Sequence, residues 1–112
     1  MHELGMCASI VDAIERRAGS RPVARVRVRV GRLHHVHPEA FDQSFAMAAM
    51  GSVAEDAQAE LVILPIRRHC RSCGADYESD DVYVDACSTC GGVDVETTGG
   101  DELVLELIEY RA

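Results

Sequence analysis

Hydrophobic and polar positions alternate with two different periods in the first part of the chain. An apolar stripe recurs every three or four positions in residues 3–18, which predicts an amphipathic helix. In residues 23–30 the period changes to two, with valines on one face and arginines on the other, which predicts a half-buried strand. The helical stripe consists of Leu4, Cys7, Val11 and Ile14.

Further along, the pattern predicts a second helix and two more strands. Pro38 suits the first position of a helix, and Gly51 suits the left-handed residue that ends one. Residues 59–66 and 102–110 predict strands, with Pro65 marking a strand end or a sheet edge. We therefore predict an α+β fold in which two helices pack on a small three-stranded sheet. The apolar stripe of the second helix is Phe41, Phe45, Ala48 and Ala49.

Charges on the predicted strands are complementary. The arginine face of residues 23–30 consists of Arg25, Arg27 and Arg29, and the strand 102–110 carries Glu102 and Glu106 on one face. We expect these two carboxylates to form cross-strand ion pairs with the arginines, each contributing roughly 0.2–1 kcal/mol.

The composition changes at residues 69–100, where four cysteines and five glycines occur with few apolar residues. The sequences CRSC and CSTC form two C-x-x-C pairs separated by thirteen residues, and a glycine follows each pair. Four thiolates at this spacing indicate a closed tetrahedral zinc site. We therefore predict a cysteine-rich excursion from the first sheet, to which the chain returns with its last strand. The four candidate ligands are Cys70, Cys73, Cys87 and Cys90.

Other interpretations of the cysteines are open at this point. Disulfides fit poorly with a cytosolic protein, and thioredoxin-type redox chemistry needs one pair at a helix start. A rubredoxin-type iron site is favoured by Tyr77 near the first pair, but rubredoxins pack more aromatic residues around the iron than Tyr77 and Tyr83 would supply. His69 is a weaker candidate ligand, and we expect Cys7 to be a small buried hydrophobic residue.

Charge and length restrict the possible functions. The 112 residues carry a formal net charge of −8, which disfavours general affinity for nucleic acid or anionic membranes. No apolar run approaches the roughly 18–20 residues of a membrane span, and no signal segment leads the chain, so we expect a soluble cytoplasmic protein. A zinc ribbon that binds nucleic acid or serves as an adaptor is an alternative, because five arginines lie between residues 21 and 32. An iron electron carrier is another, whereas no catalytic constellation predicts an enzyme.

The first three residues carry a second candidate metal site. The amine of Met1, the imidazole of His2 and nearby backbone amides form a nitrogen donor set of the kind that Ni(II) and Cu(II) prefer. Since His2 is too bulky for methionine removal, we expect the amine to stay on Met1. Glu3 adds negative charge and can orient the imidazole. Taken alone, a histidine at position 2 is more often a solvated terminal residue.

The whole chain resembles the HypA/HybF family of hydrogenase nickel-incorporation proteins. The resemblance covers nearly the full length, and two departures, Ser88 within the second cysteine pair and Gly5-Met6 after the first motif, leave the candidate ligands intact. The matching segments are MHEL at 1–4, SIVDAIE at 9–15, VRVRVGRL at 26–33, VHPEAF at 36–41, GSVAEDA at 51–57, the two cysteine pairs and the terminal GDELVLELIE.

This resemblance implies a nickel metallochaperone with no catalysis of its own. It implies a nickel-binding α/β domain of residues 1–68, completed by the strand 101–112, and a zinc-ribbon domain inserted at 69–100. Family members deliver Ni(II) toward the large-subunit precursor of [NiFe]-hydrogenase, work with the GTPase HypB, and in some cases serve urease maturation. Carried over to this chain, the resemblance implies His2 as the nickel ligand with Met1 and Glu3 in support, and structural Zn(II) at the four cysteines. A monomer and a homodimer are both compatible with it. The histidines at 34, 35 and 37 are either a weak accessory nickel site or, as we favour, a solvated loop.

Overall fold

The computed structural model describes residues 2–83 and 86–112, which form two α-helices, a short 3-10 helix at Arg32–His34 and six strands. The chain divides into two compact units, the first made of Met1–Arg29, Val36–Val62 and Val104–Ala112, the second of Val30–His35 and Ile63–Leu103. The elements are α1 (His2–Ala18), β1 (Val23–Gly31), α2 (Pro38–Ala49), β2 (Gln58–Leu64), β3 (Ile66–Cys70), β4 (Asp76–Ser79), β5 (Val95–Gly99) and β6 (Leu103–Tyr110).

The strands form two sheets of three. One has the order β2-β1-β6, and the other has the order β4-β3-β5, with β3 antiparallel to both of its neighbours. The two helices and the sheet containing β1 confirm the predicted α+β class. Neither helix of the described chain is long and apolar enough to cross a membrane.

Helix α1 buries the predicted stripe with one exception. Cys7 and Ile14 are fully buried, but Leu4 is 37% exposed, while the carboxylate residue Glu3 is buried. The prediction for Leu4 was therefore wrong. With about 3.6 residues per turn, Glu3 lies nearer than Leu4 to the centre of the stripe that Cys7 and Ile14 define.

The valines of β1 are fully buried, as the alternation predicts, and its arginines meet carboxylates on both sides. Arg27 and Arg29 bind Glu106 at 3.3 and 2.7 Å, which confirms that part of the predicted ladder. The prediction for Glu102 was wrong, because its carboxylate instead accepts a hydrogen bond from the Gly100 amide just outside β6. The remaining ladder partners come from both neighbouring strands of the sheet and are Glu60 and Glu109.

Helix α2 begins at Pro38 and ends before Gly51, which has a φ of 77°, as predicted from its sequence. Phe41 and Phe45 are buried, and their rings stack with centroids 6.3 Å apart. These rings supply the aromatic part of the first unit's core.

The segment 59–66 is not one strand. Pro65 separates β2 from β3, because a residue without an amide hydrogen cannot continue the ladder, and Ile66 begins a strand of the other sheet. The sheet of β3, β4 and β5 was not predicted. It carries the first cysteine pair at the end of β3, and the second pair lies in the connection between β4 and β5. The apolar fragment VYV at 82–84 falls partly outside the described residues.

Candidate metal centres

Four cysteine side chains converge in the second unit. The sulfur atoms of Cys70, Cys73, Cys87 and Cys90 all lie within 4.8 Å of one another. The Sγ atoms of Cys70 and Cys90 are 3.7 Å apart, as are those of Cys73 and Cys87. A disulfide requires about 2.05 Å between sulfurs, so these cysteines are free thiols that share one centre.

Both cysteine pairs lie in turns with the same backbone hydrogen bonds. The amides of Gly74 and Gly91 each donate to the carbonyl of the first cysteine of their pair, at 2.8 and 2.9 Å. Both glycines have a positive φ, 77° and 75°, which confirms the predicted need for glycine after each pair. A side chain at Gly92 would come within 3.2 Å of the Cys90 sulfur, so this position too is shaped around the cluster.

The turns favour thiolates at the first cysteine of each pair. The backbone amide of Cys73 lowers the pKa of the Cys70 thiol, and the backbone amides of Cys90 and Thr89 lower the pKa of Cys87 to about 6. The Thr89 amide lies 3.3 Å from the Cys87 sulfur. The pKa of the first cysteine of each pair is thus shifted toward the charged form that binds metals.

The pKa of the second cysteine of the first pair is shifted in the opposite direction. Although the Ala75 amide favours its thiolate, desolvation and the other three sulfurs raise the pKa of Cys73 to about 12. Like charges so close together cannot all ionise without a cation between them. The cluster therefore has the electrostatics of a metal site.

The cluster fits zinc. Four sulfurs bound at about 2.3 Å around a tetrahedral zinc ion lie about 3.8 Å apart, close to the two 3.7 Å separations. All four positions of such an ion are filled by protein, which leaves none for a substrate. Iron is also held by four cysteine thiolates in some proteins.

His69 lies outside this cluster. Its Nδ1 atom is 2.7 Å from an oxygen of Asp76, and it is not among the four clustered ligands. Cys7 is also separate: its thiol is fully buried and donates to the Phe41 carbonyl at 3.6 Å. Burial raises the pKa of Cys7 to about 11, so this residue behaves as the predicted small hydrophobic one.

The amino-terminal candidate site is held by a buried carboxylate. Glu3 accepts a hydrogen bond from the amide of His37 at 3.3 Å, and its own amide and that of His37 lower the pKa of its carboxyl. The Nδ1 atom of His2 lies 3.5 Å from the other carboxylate oxygen of Glu3, while the His2 side chain is 52% exposed. The first turn of α1 thus presents an imidazole to solvent beside an anchored negative charge. Met1 lies outside the described residues.

The histidines at 34–37 are not gathered into a ligand group. His34 Nε2 lies 2.8 Å from the Asp101 carbonyl, and the His35 ring lies 6.4 Å from that of Tyr83. Among residues 2–83 and 86–112, the four cysteines are the one cluster of three or more candidate ligands. The structure thus offers no support for an accessory nickel site there.

The arginines considered for nucleic-acid binding are already engaged. Arg25, Arg27 and Arg29 pair with glutamates, and Arg32 lies 3.6 Å from Asp80. The Arg21 guanidinium lies 3.7 Å above the centre of the Tyr110 ring. These arginines therefore do not form an open basic surface.

The chain is similar over its length to proteins of one family. The family model described as "Hydrogenase/urease nickel incorporation, metallochaperone, hypA" matches residues 1–110. The hydrogenase maturation factor HypA of Rhodopseudomonas palustris strain BisB5 is 38% identical over 112 residues, which cover 97% of this chain and 98% of the relative. The factor of the same name from Desulfitobacterium hafniense strain DCB-2 is 31% identical and covers 99% of both chains.

A solved structure has the same fold. The solution structure of the Ni metallochaperone HypA from Helicobacter pylori aligns with a TM-score of 0.66 and covers 98% of this chain and 97% of its own, at 21% identity. This likeness concerns the fold.

Proposed function

The chain belongs to the HypA family of nickel metallochaperones and hydrogenase maturation factors, and we propose that it carries Ni(II) at its amino terminus for delivery to a [NiFe]-hydrogenase. The observation that carries this proposal is the exposed His2 imidazole beside the buried, hydrogen-bonded carboxylate of Glu3. Delivery to urease is a second possible destination within the same function.

The proposed nickel ligands are His2 with Met1 and Glu3. The first four amides of an α-helix have no carbonyl acceptor within the helix, so a metal that binds the amides of His2 and Glu3 leaves the amide-to-carbonyl hydrogen bonds of α1 intact. Together with the Met1 amine and the His2 imidazole, they supply the nitrogen donors that suit square-planar Ni(II). The anchored Glu3 carboxylate adds negative charge near the cation and holds the imidazole in place.

An exposed site suits a protein that must release its cargo. Because half of the His2 side chain faces solvent, a recipient can approach the metal and exchange ligands one at a time. Cu(II) binds such nitrogen sites more tightly than Ni(II), so selectivity must come from metal availability and from docking partners.

We propose Zn(II) as the resident metal of the cysteine cluster. Cys70, Cys73, Cys87 and Cys90 would hold it, and its charge would allow all four sulfurs to stay ionised. We assign this structural role to the ribbon 69–100 and nickel binding to the domain of 1–68 completed by 101–112. A closed four-thiolate centre has no open coordination position, which supports a role without catalysis.

The proposed working partners are the GTPase HypB and the precursor of the hydrogenase large subunit, met in the cytoplasm. The net charge of −8 favours partners with basic docking faces. A monomer and a homodimer are both compatible with this role.

Calorimetric titration of tag-free, metal-analysed protein with Ni(II) tests the nickel site. We expect one site in the wild type, and its loss both in His2→Ala and in a variant extended at the amino terminus. His34→Ala is the matched control and should bind like the wild type. Wild-type binding in both terminal variants would refute the site at His2.

The same purified sample tests the resident metal. A colourless protein with one zinc per chain by elemental analysis is expected. A red protein with one iron would support the electron-carrier alternative instead.

A further inference from the structure

An arginine is buried in the middle of β3. Burial alternates along this strand, so that Ile66, Arg68 and Cys70 point inward. Arg68 is 6% exposed, whereas its neighbour Arg67 is exposed. The inward side chain of Arg68 therefore shares its face of the strand with the metal ligand Cys70, two residues away.

Among residues 2–83 and 86–112, the positive charge of Arg68 has no carboxylate partner. Its Nη1 and Nη2 atoms donate to the Thr97 hydroxyl at 3.5 Å and the Asp81 carbonyl at 3.3 Å, both long contacts. Its Nε atom is buried without any hydrogen-bond partner, and no ion pair of Arg68 occurs in the described part of the chain. Burying a charge is costly unless an opposite charge compensates it.

The positive charge of another arginine in the same unit is balanced by carboxylates. Arg71 pairs with Asp94 at 2.9 Å and with Glu96 at 3.0 Å, at positions that are open to solvent. The unit thus has carboxylates available for its exposed arginines, and none of the carboxylates that the structure describes lies within ion-pairing distance of the buried Arg68. Something else must balance its charge.

The metal-loaded cysteine cluster carries an excess of negative charge. Four thiolates around a divalent ion carry a net charge of −2, and backbone amides offset only part of it. Tyr77 faces Arg68 across the β3–β4 ladder, and its hydroxyl donates to the carbonyl of Ala86, the residue before Cys87. Besides desolvation, which raises the pKa of Tyr77, the thiolate of Cys87 raises it and the charge of Arg68 lowers it. Both charges thus act on one side chain.

We propose that Arg68 is the buried counter-ion of the metal–tetrathiolate centre. It balances part of the −2 charge, which slows the loss of the metal and protects the thiolates from electrophiles. This inference rests on the proposed occupancy of the cysteine cluster by zinc. Arg68 acts as a positioning residue, through charge, and is not itself a ligand.

The test is the rate at which the full-length, zinc-loaded protein loses zinc to excess EDTA, followed with a colorimetric zinc indicator. Arg68→Met keeps a similar apolar stem and removes the charge, and Arg68→Lys keeps both stem and charge. Arg67→Met removes the same charge from the exposed face of the same strand. We expect zinc loss to be about tenfold faster in Arg68→Met, in line with the usual effect of outer-shell substitutions, and close to wild type in Arg68→Lys and Arg67→Met.

Each outcome bears on a different part of the proposal. Equal rates in Arg68→Met and wild type would overturn the counter-ion role, since an apolar replacement of a merely packed side chain is tolerated. Equally fast loss in Arg68→Lys and Arg68→Met would overturn it too, because packing rather than charge would then be responsible. A wild type that holds no zinc would instead refute the proposed zinc site itself.

Discussion

The two compact units bury different kinds of side chain. The interior of the first holds aliphatic and aromatic residues such as Ile14, Val26 and Phe41. In the second, the buried apolar side chains within the described residues are Val30, Ile66, Cys70 and Cys87. A large buried side chain contributes about 1.5–3 kcal/mol. We therefore expect the hydrophobic core to stabilise the first unit, and we expect the second unit to depend on the metal proposed for its cysteines.

Removal of the metal should produce the largest difference in stability between the two units. A structural zinc site supplies on the order of 10 kcal/mol, so chelation is expected to unfold the second unit while α1 and α2 persist. Two-dimensional amide NMR before and after chelation measures this, with collapse expected for the resonances of β3, β4 and β5. Unchanged β3 resonances in protein shown to be metal-free would contradict the comparison.

A substitution in the hydrophobic core should destabilise the first unit and leave the metal content of the second unchanged. Phe41 is fully buried and stacks on Phe45, so Phe41→Ala is expected to lower the free energy of unfolding of the first unit by about 3–5 kcal/mol. Urea denaturation followed by circular dichroism measures the loss, and zinc content should stay at one per chain. Met47→Ala, at a position 61% exposed, is the control and should change stability by less than about 0.5 kcal/mol.

A close backbone approach also orders the second unit. A Cβ atom at Gly31 would lie 1.9 Å from the Gly100 carbonyl oxygen, so Gly31→Ala is expected to destabilise the protein by about 1–3 kcal/mol. Gly5, within α1, has open space around it, and Gly5→Ala should stabilise by roughly 0.5–1 kcal/mol. Thermal melting of both variants shows whether each one is less or more stable than the wild type. A stabilised Gly31→Ala variant would refute the close approach.

The smallest expected effect is the pH dependence of the charged ladder on β1. The hydrogen bond from Arg29 lowers the pKa of Glu106, so this carboxylate contributes stability above its unfolded pKa of about 4.3, and the contribution is lost as pH falls through the lower folded value. Glu106→Gln should therefore destabilise slightly at pH 7 and have no effect once the pH is low enough to protonate the carboxylate in both the folded and the unfolded state. Because the ladder is exposed, added salt should reduce the difference.

The matched control is Glu15→Gln. Glu15 is an exposed residue of α1 that forms no ion pair with any residue the structure describes. A loss of equal size at pH 7 and at low pH in Glu106→Gln would show that the glutamate acts by packing and not by charge.

Periodicity predicted the elements that bury one regular face. The stripes of α1 and α2 and the valines of β1 identify these elements, and the spacing of the cysteines predicted their convergence. These features are local in sequence, so they need no knowledge of tertiary contacts.

The features that the sequence did not reveal depend on contacts distant along the chain. The strand IRRHC of β3 has no apolar alternation, because its inward positions include the charged Arg68. Glu109 and Glu60 join the arginine ladder through strand register and side-chain reach, which composition does not determine. Glu3 is buried because it lies nearer to the centre of the buried helical stripe than Leu4, the next residue, does.

We propose that zinc is resident in the protein and that nickel is its cargo. Native mass spectrometry of protein loaded with one zinc and then with Ni(II), before and after a brief exposure to chelator, tests it most directly. We expect one zinc and one nickel at first, with only the zinc remaining afterwards, and no nickel at any stage in His2→Ala. Simultaneous loss of both metals, or nickel replacing zinc in the mass of the loaded protein, would contradict it.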